Sequence, residues 1–277
     1  MAVTLADHLM GALPQLRVQP TPKRVRVLLD GAEVVDTTDA LLVWEPMRIV
    51  ASYAVPERAI TATLEEAPVG PTPEYRPVGF GPDSPPLLDP SVPFAVHTAH
   101  GEPLDVVVGA TRRDGAAFRF LDDPDVEGYV VLDFDAFDWF EEDEPIVGHA
   151  RDPFHRIDVR RSSRRVRIEH DGTVLAESSR ARLLFEGTFP MPRYYLPRED
   201  VVVELRPGSL RTTCAYKGHA THFDAVVDGE VLPDIAWTYT APLDDATDVR
   251  DLVCFYHERL DLFVEGEPVE RVRTPWS

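Results

Sequence analysis

Apolar and polar residues alternate with a period of two along much of this chain. Val166, Ile168 and His170 interleave with Arg165, Arg167 and Glu169. Side chains two apart share a strand face, so the run predicts a half-buried β-strand. Asp171-Gly172, Asp228-Gly229 and Glu265-Gly266 separate such runs. Asp-Gly favours the two-residue type I′ hairpin, because both central residues need positive φ. The stretch HFDAVVDGEVL therefore predicts a hairpin, and IAWTYT after it puts Trp237 and Tyr239 on one strand face. Helix is scarce. Residues 1–19 predict one helical segment, and residues 244–252 a short second one, followed by strands at 253–256 and 261–265. No strand–helix–strand alternation is visible. The expected class is all-β with minor helix, built as compact antiparallel barrels or sandwiches.

The pattern repeats. RVRVLLDGAEVVDTTDALLVWE, residues 24–45, is similar to RVRIEHDGTVLAESSRARLLFE, residues 165–186. FDWFEEDEPI is similar to LDLFVEGEPV, and YAVPE falls where YYLPR falls. The matches keep one order, so two related modules are expected, at 20–147 and 158–277, with a linker at 148–157. Residues 67–93 are rich in Pro and Gly and read as a long loop in the first module. The two modules are expected to pack on each other. Arg151 to Arg167 holds seven arginines, and Asp122 to Glu144 holds eleven acidic residues and no basic one. Both tracts read as solvated faces, since exposed pairs contribute only about 0–1 kcal/mol each.

Composition narrows the function. The net charge of −20 repels a nucleic-acid backbone, so no nucleic-acid partner is expected. No apolar run approaches the length of a membrane span, and no membrane partner is expected. The start lacks a basic n-region, and two cysteines are too few for a disulfide-stapled secreted domain. A cytoplasmic location is expected. Of 28 basic residues only Lys23 and Lys217 are lysines. Against so arginine-rich a background, a retained lysine suggests that a compact ammonium is wanted there.

The chemistry-bearing residues concentrate in the second module. PMPRYYLPRED supplies Arg193, Tyr194, Tyr195, Arg198 and Asp200; TTCAYKG supplies Cys214, Tyr216 and Lys217; AWTYTAP supplies Trp237 and Tyr239. Arginine forks bind carboxylate or phosphate, and Tyr and Trp walls offer stacking with a polar tip. These residues are the expected ligand-binding set, with Lys217 as general acid/base or electrostatic anchor. As packing alone, the aromatics would simply fill the core. Cys214, His219 and His222 are irregularly spaced for zinc, whose ligands usually come in close pairs, so no metal is expected. In the first module His97 and His100 align near Cys214 and Lys217, Ala54 near Tyr195, and Phe118 and Phe120 near Trp237 and Tyr239. That module reads as a diverged copy.

The order PRYYLPREDV, TTCAYKG, DIAWTYTAPL, VCFY resembles the domain-of-unknown-function family 427. The resemblance covers nearly all of the second module and, more weakly, the first, as in the family's tandem members. It implies a small β-domain akin to β-tent or Mss4-like folds, and no established activity. The family is sometimes labelled nucleotidyltransferase-like. That chemistry usually needs paired carboxylates holding Mg²⁺ near a Gly-Ser loop. Asp133 and Asp135 have the right look but follow no such motif. The expected function is binding of a small polar metabolite in the second module, as a binder or as an enzyme of unknown reaction. The alternative is a protein-interaction scaffold. The residues name no cofactor.

Overall fold

The structure is a computed structural model that describes residues 2–79, 84–187, 189, 191–274 and 276–277. The chain divides into two units. One takes the residues up to Val78 and Pro86–Asp152; the other takes Pro153–Ser277 with the described residues between Gly79 and Pro85.

The first unit opens with α1 (Leu5–Gly11), shorter than the helical segment expected over residues 1–19, because a strand already begins at Arg17. Its strands are β1 (Arg17–Pro20), β2 (Val25–Leu29), β3 (Ala32–Thr37), β4 (Leu41–Trp44), β5 (Ser52–Pro56), β6 (Thr63–Glu66), β7 (Gly101–Val108), β8 (Thr111–Phe120), β9 (Tyr129–Leu132), β10 (Asp138–Glu141) and β11 (Glu144–Pro145). They form a seven-stranded sheet, β1-β4-β5-β9-β8-β7-β6, and a four-stranded sheet, β11-β10-β2-β3. The second unit has β12 (Ile157–Arg161), β13 (Val166–His170), β14 (Thr173–Ser178), β15 (Arg182–Glu186), β16 (Arg193–Leu196), β17 (Glu204–Cys214), β18 (Gly218–Val227), β19 (Glu230–Thr238), β20 (Val253–Phe255), β21 (Asp261–Val264) and β22 (Glu267–Val269). Its sheets run β12-β15-β16-β20-β19-β18-β17 and β14-β13-β21-β22.

The two large sheets have the same strand order position by position. All their strand pairs are antiparallel, and each unit is a sandwich of a large and a small sheet, not a closed barrel. The turns explain the tight hairpins. Asp171 and Gly172 sit at φ 47° and 85°, and Asp228 and Gly229 at 51° and 86°, as a type I′ turn demands. Residues 244–252 hold a 3-10 helix, Asp244–Val249, where a short helix was expected.

One face of each large sheet packs on the small sheet. In the second unit Leu175, Ile168, Leu196 and Leu260 are at most 1 % exposed, each contributing about 1.5–3 kcal/mol by its burial. The other face is buried too. In the first unit it carries a separate apolar cluster of Val43, Ala54, Phe118, Phe120, Val126 and Val131. Among the described residues no helix is long and apolar enough to cross a membrane.

Candidate functional site

The second face of the large sheet in the second unit carries the polar chemistry. Residues opposite one another in an antiparallel pair share a face. Tyr195 stands opposite Cys254, Cys254 opposite Trp237, and Trp237 opposite His222. Arg193 lies two residues from Tyr195 on the same strand and so on the same face. Two buried ion pairs organise this surface.

The first is Arg193 with Glu258. The guanidinium donates both terminal nitrogens to the carboxylate, at 2.8 and 2.7 Å. Thr274 Oγ1 donates to the same carboxylate at 2.9 Å. The cation lies against three rings, with its Cζ 5.2, 5.5 and 5.6 Å from the centroids of Phe189, Trp237 and Trp276. Burial alone would drive Glu258 toward its neutral form, but the Arg193 bonds outweigh it and lower its pKa. Burial and Arg193 push neighbouring His257 down to about 4, and its Nε2 lies 2.8 Å from the Met191 sulfur. Trp237 Nε1 donates to the Tyr195 hydroxyl at 3.2 Å. The terminal nitrogens of Arg193, the Trp237 indole N–H and the Thr274 hydroxyl thus have partners inside the fold.

The second pair is Lys217 with Glu186, at 2.5 Å, with side chains 11 % and 9 % exposed. His155 Nε2 lies 3.5 Å from the same carboxylate, and the His155 ring sits 4.2 Å from that of Tyr216. Burial pushes the Glu186 carboxyl up, but Lys217 and His155 outweigh it and hold it at about 2. Burial lowers the Lys217 pKa, while Glu186 and the adjoining Cys214 thiol raise it further; the net shift is upward. The upward shift keeps Lys217 charged at neutral pH, as the counter-ion of Glu186. Cys214 remains half-buried and marks where this group meets the surface. Cys254 is fully buried, and its burial raises its pKa well above the ordinary thiol value.

The ten expected residues thus fall into distinct places. Arg193, Tyr195 and Trp237 meet around Glu258. Cys214, Tyr216 and Lys217 meet around Glu186 and His155, and burial beside Cys214 and Glu186 raises the Tyr239 pKa. Tyr194 alternates to the opposite sheet face, where its ring lies edge-on to His257 at 6.0 Å. Arg198 and Asp200 sit in the 3-10 turn Arg198–Asp200. Arg198 lies over the Phe223 ring at 4.6 Å, and Asp200 accepts from Ser178 and Arg180 at 2.6 Å each. His219 and His222 bond the Thr213 and Thr212 hydroxyls. Among the described residues no three metal-ligating side chains cluster.

Sequence reasoning missed Glu186, Glu258 and His155. For Glu186 a signal existed: the repeated segment ends in an acid in both copies, Glu45 and Glu186. Both are buried. Glu45 accepts from the Thr98 and Ala99 amides at 2.6 and 3.0 Å and bonds His97 at 2.9 Å, with Arg48 at 3.7 Å. The strand registers also correct the alignment of the histidines. Pro103 lies opposite Phe118, as His222 lies opposite Trp237, so His97 occupies the place of Tyr216, and Thr98 that of Lys217. The other lysine, Lys23, pairs with Glu141, which also accepts from the Tyr53 hydroxyl. Both lysines in the chain are thus counter-ions of carboxylates.

A model of the family described as Domain of unknown function (DUF427) matches residues 17–77 and 158–266. The second match spans β12 to β21, and the first spans β1 to β6. No curated protein matches the chain.

Proposed function

The chain belongs to this family, in two copies, and from that premise we propose that its second module binds a small polar molecule at the Lys217 group. The first module is a diverged copy of the second. One observation carries the reading. The fold buries a glutamate at the end of the same strand segment in both modules, and the first module satisfies it with backbone amides, His97 and Arg48. The second module uses an ammonium with a half-exposed thiol beside it. A ligand at Cys214 would meet the Lys217 charge, the His155 and Tyr216 rings, and the Glu186 acceptor. Such a site offers binding and orientation, with Lys217 as the electrostatic anchor.

The test is a thermal-shift screen with polar metabolites on the wild type and on Lys217→Met/Glu186→Gln, which removes both buried charges together. A ligand at about 100 times its Kd should add roughly 2.7 kcal/mol of stability. Hits that vanish in a folded double variant support the site. Hits that persist unchanged, or no hit in either protein, remove the reading.

A further inference from the structure

Four arginines converge on one recess of about 410 Å³ in the second unit. Its lining combines Arg161 and Ser162 at the end of β12, Arg180, Ala181 and Arg182 entering β15, Pro197 after β16, and Asp248, Arg250 and Leu252 before β20. Arg161 and Arg182 are directly opposite across the β12–β15 pair, and Arg182 is directly opposite Tyr195 on β16. Like charges directly opposite on adjacent strands destabilise a sheet. Arg180 is tied to Asp200 and Glu199, at 2.6 and 3.2 Å. Asp200 in turn accepts from the Ser178 hydroxyl, so Arg180 is held in place. Among the described residues, no ion pair or side-chain hydrogen bond engages the guanidiniums of Arg161, Arg182 or Arg250. Arg161 and Arg250 are exposed and Arg182 half-buried, so water solvates these guanidiniums and what their convergence on one recess costs is mutual repulsion.

The first module shows that the fold does not need them. By register, Pro20 opposite Leu41 takes the place of Arg161 opposite Arg182. Asp39, two residues before Leu41, takes the place of Arg180, and Glu127, three before Val130, that of Arg250, three before Val253. At two of the four positions the sister module carries the opposite charge, and at the other two it carries no charge.

We propose that this recess binds a small phosphate monoester, at a site separate from the Lys217 group. One or two forks saturate the two oxygens of a carboxylate. Guanidiniums arriving from three segments of the chain instead match the three terminal oxygens of a phosphoryl dianion. The volume suits a small metabolite. Ala181, Pro197 and Leu252 supply apolar contact for the organic half, and Asp248, the one carboxylate in the lining, supplies an acceptor for a hydroxyl on it.

Calorimetric titration with ribose 5-phosphate, inorganic pyrophosphate and citrate at matched ionic strength tests this. Binding of the two phosphate probes more tightly than citrate is expected. Arg182→Leu, which installs the first module's residue, should weaken ribose 5-phosphate by roughly tenfold or more, given the strength of hydrogen bonds to charged groups. Arg182→Lys should restore only part, since charge returns without the fork. Arg206→Ala, on a surface arginine paired with Glu204, should change nothing. Citrate binding as tightly as the phosphates overturns the ligand class. Equal affinity in wild type and Arg182→Leu, or no binding of any probe, overturns the site.

Discussion

The two modules share strand order and cross-strand register but differ on one sheet face. In the first, that face is Val43, Ala54, Val131, Phe118 and Phe120. In the second, the corresponding places hold Leu184, Tyr195, Cys254, Trp237 and Tyr239, joined by Arg193 and Glu258. Arg193 stands where Ser52 stands, and Glu258 where the exposed Asp135 stands. At these places the first module is complete without a buried ion pair. Polar groups buried in the second copy therefore bring desolvation costs that the architecture does not require. This contrast makes the first module an internal control: a residue demanded by the fold should recur there, and a residue that does not recur needs another reason.

The largest expected effect comes from breaking the buried pair. Arg193→Leu strands the Glu258 carboxylate among aromatic rings, and removing one partner of such a pair typically costs about 3–5 kcal/mol. Arg193→Leu with Glu258→Leu should recover most of that loss, since the first module lives without the pair. Ser52→Ala, at the matching place, should cost under about 1 kcal/mol. Urea midpoints for the three proteins check this. A double variant as damaged as the single would mean that the pair is structurally required and that the internal control fails.

The next effect is acid sensitivity, where both modules have a buried glutamate but different partners. The Glu186 carboxyl titrates in the folded state at about 2, below its ordinary value of 4.5. A depressed carboxyl stabilises the fold fully above the unfolded value, and the contribution is lost as pH falls from about 4.5 toward 2. The loss is about 3 kcal/mol, as an order of magnitude. Burial also opposes Glu45, and His97, the Ala99 amide and Arg48 bring its pKa below the ordinary value. Glu186→Gln should flatten the acid limb of stability in the second module, and Glu45→Gln should flatten that of the first by less. A chain of two units need not unfold in one step, so hydrogen exchange read separately in each module is the appropriate measurement. Equal slopes in wild type and Glu186→Gln would sink the argument.

The same contrast shows why some of this was legible in the sequence and some was not. The period-two runs and the Asp-Gly turns are local, so the all-β class, the hairpins and the repeat could be read directly. Trp237 and Tyr239 share a face by parity alone. Parity also separates Tyr194 from Tyr195, and grouping both in one pocket overlooked it. Glu258 meets Arg193 across 65 residues and Glu186 meets Lys217 across 31, contacts made only by the order β15-β16-β20 and by the turn before β18. The arginine recess draws on segments around 161, 182 and 250, which become neighbours only once β12, β15, β16 and β20 lie side by side. No spacing rule along the chain exposes such a set.

The smallest effect separates function from fold most cleanly. Arg161 and Arg182 face each other with like charge, and an opposed like-charge pair is unfavourable by up to about 1 kcal/mol relative to a neutral one. Arg182→Leu recreates the first module's Leu41 on a half-buried strand position beside Tyr195. It should leave stability unchanged or raise it by about 0.2–1 kcal/mol while weakening the phosphate probe. Residues held against their own contribution to stability are those selected for binding. Thermal unfolding of Arg182→Leu without ligand, set beside its calorimetric titration, checks both halves. A variant that loses more than about 1 kcal/mol would show that Arg182 serves the fold, and the recess would then lose its strongest argument.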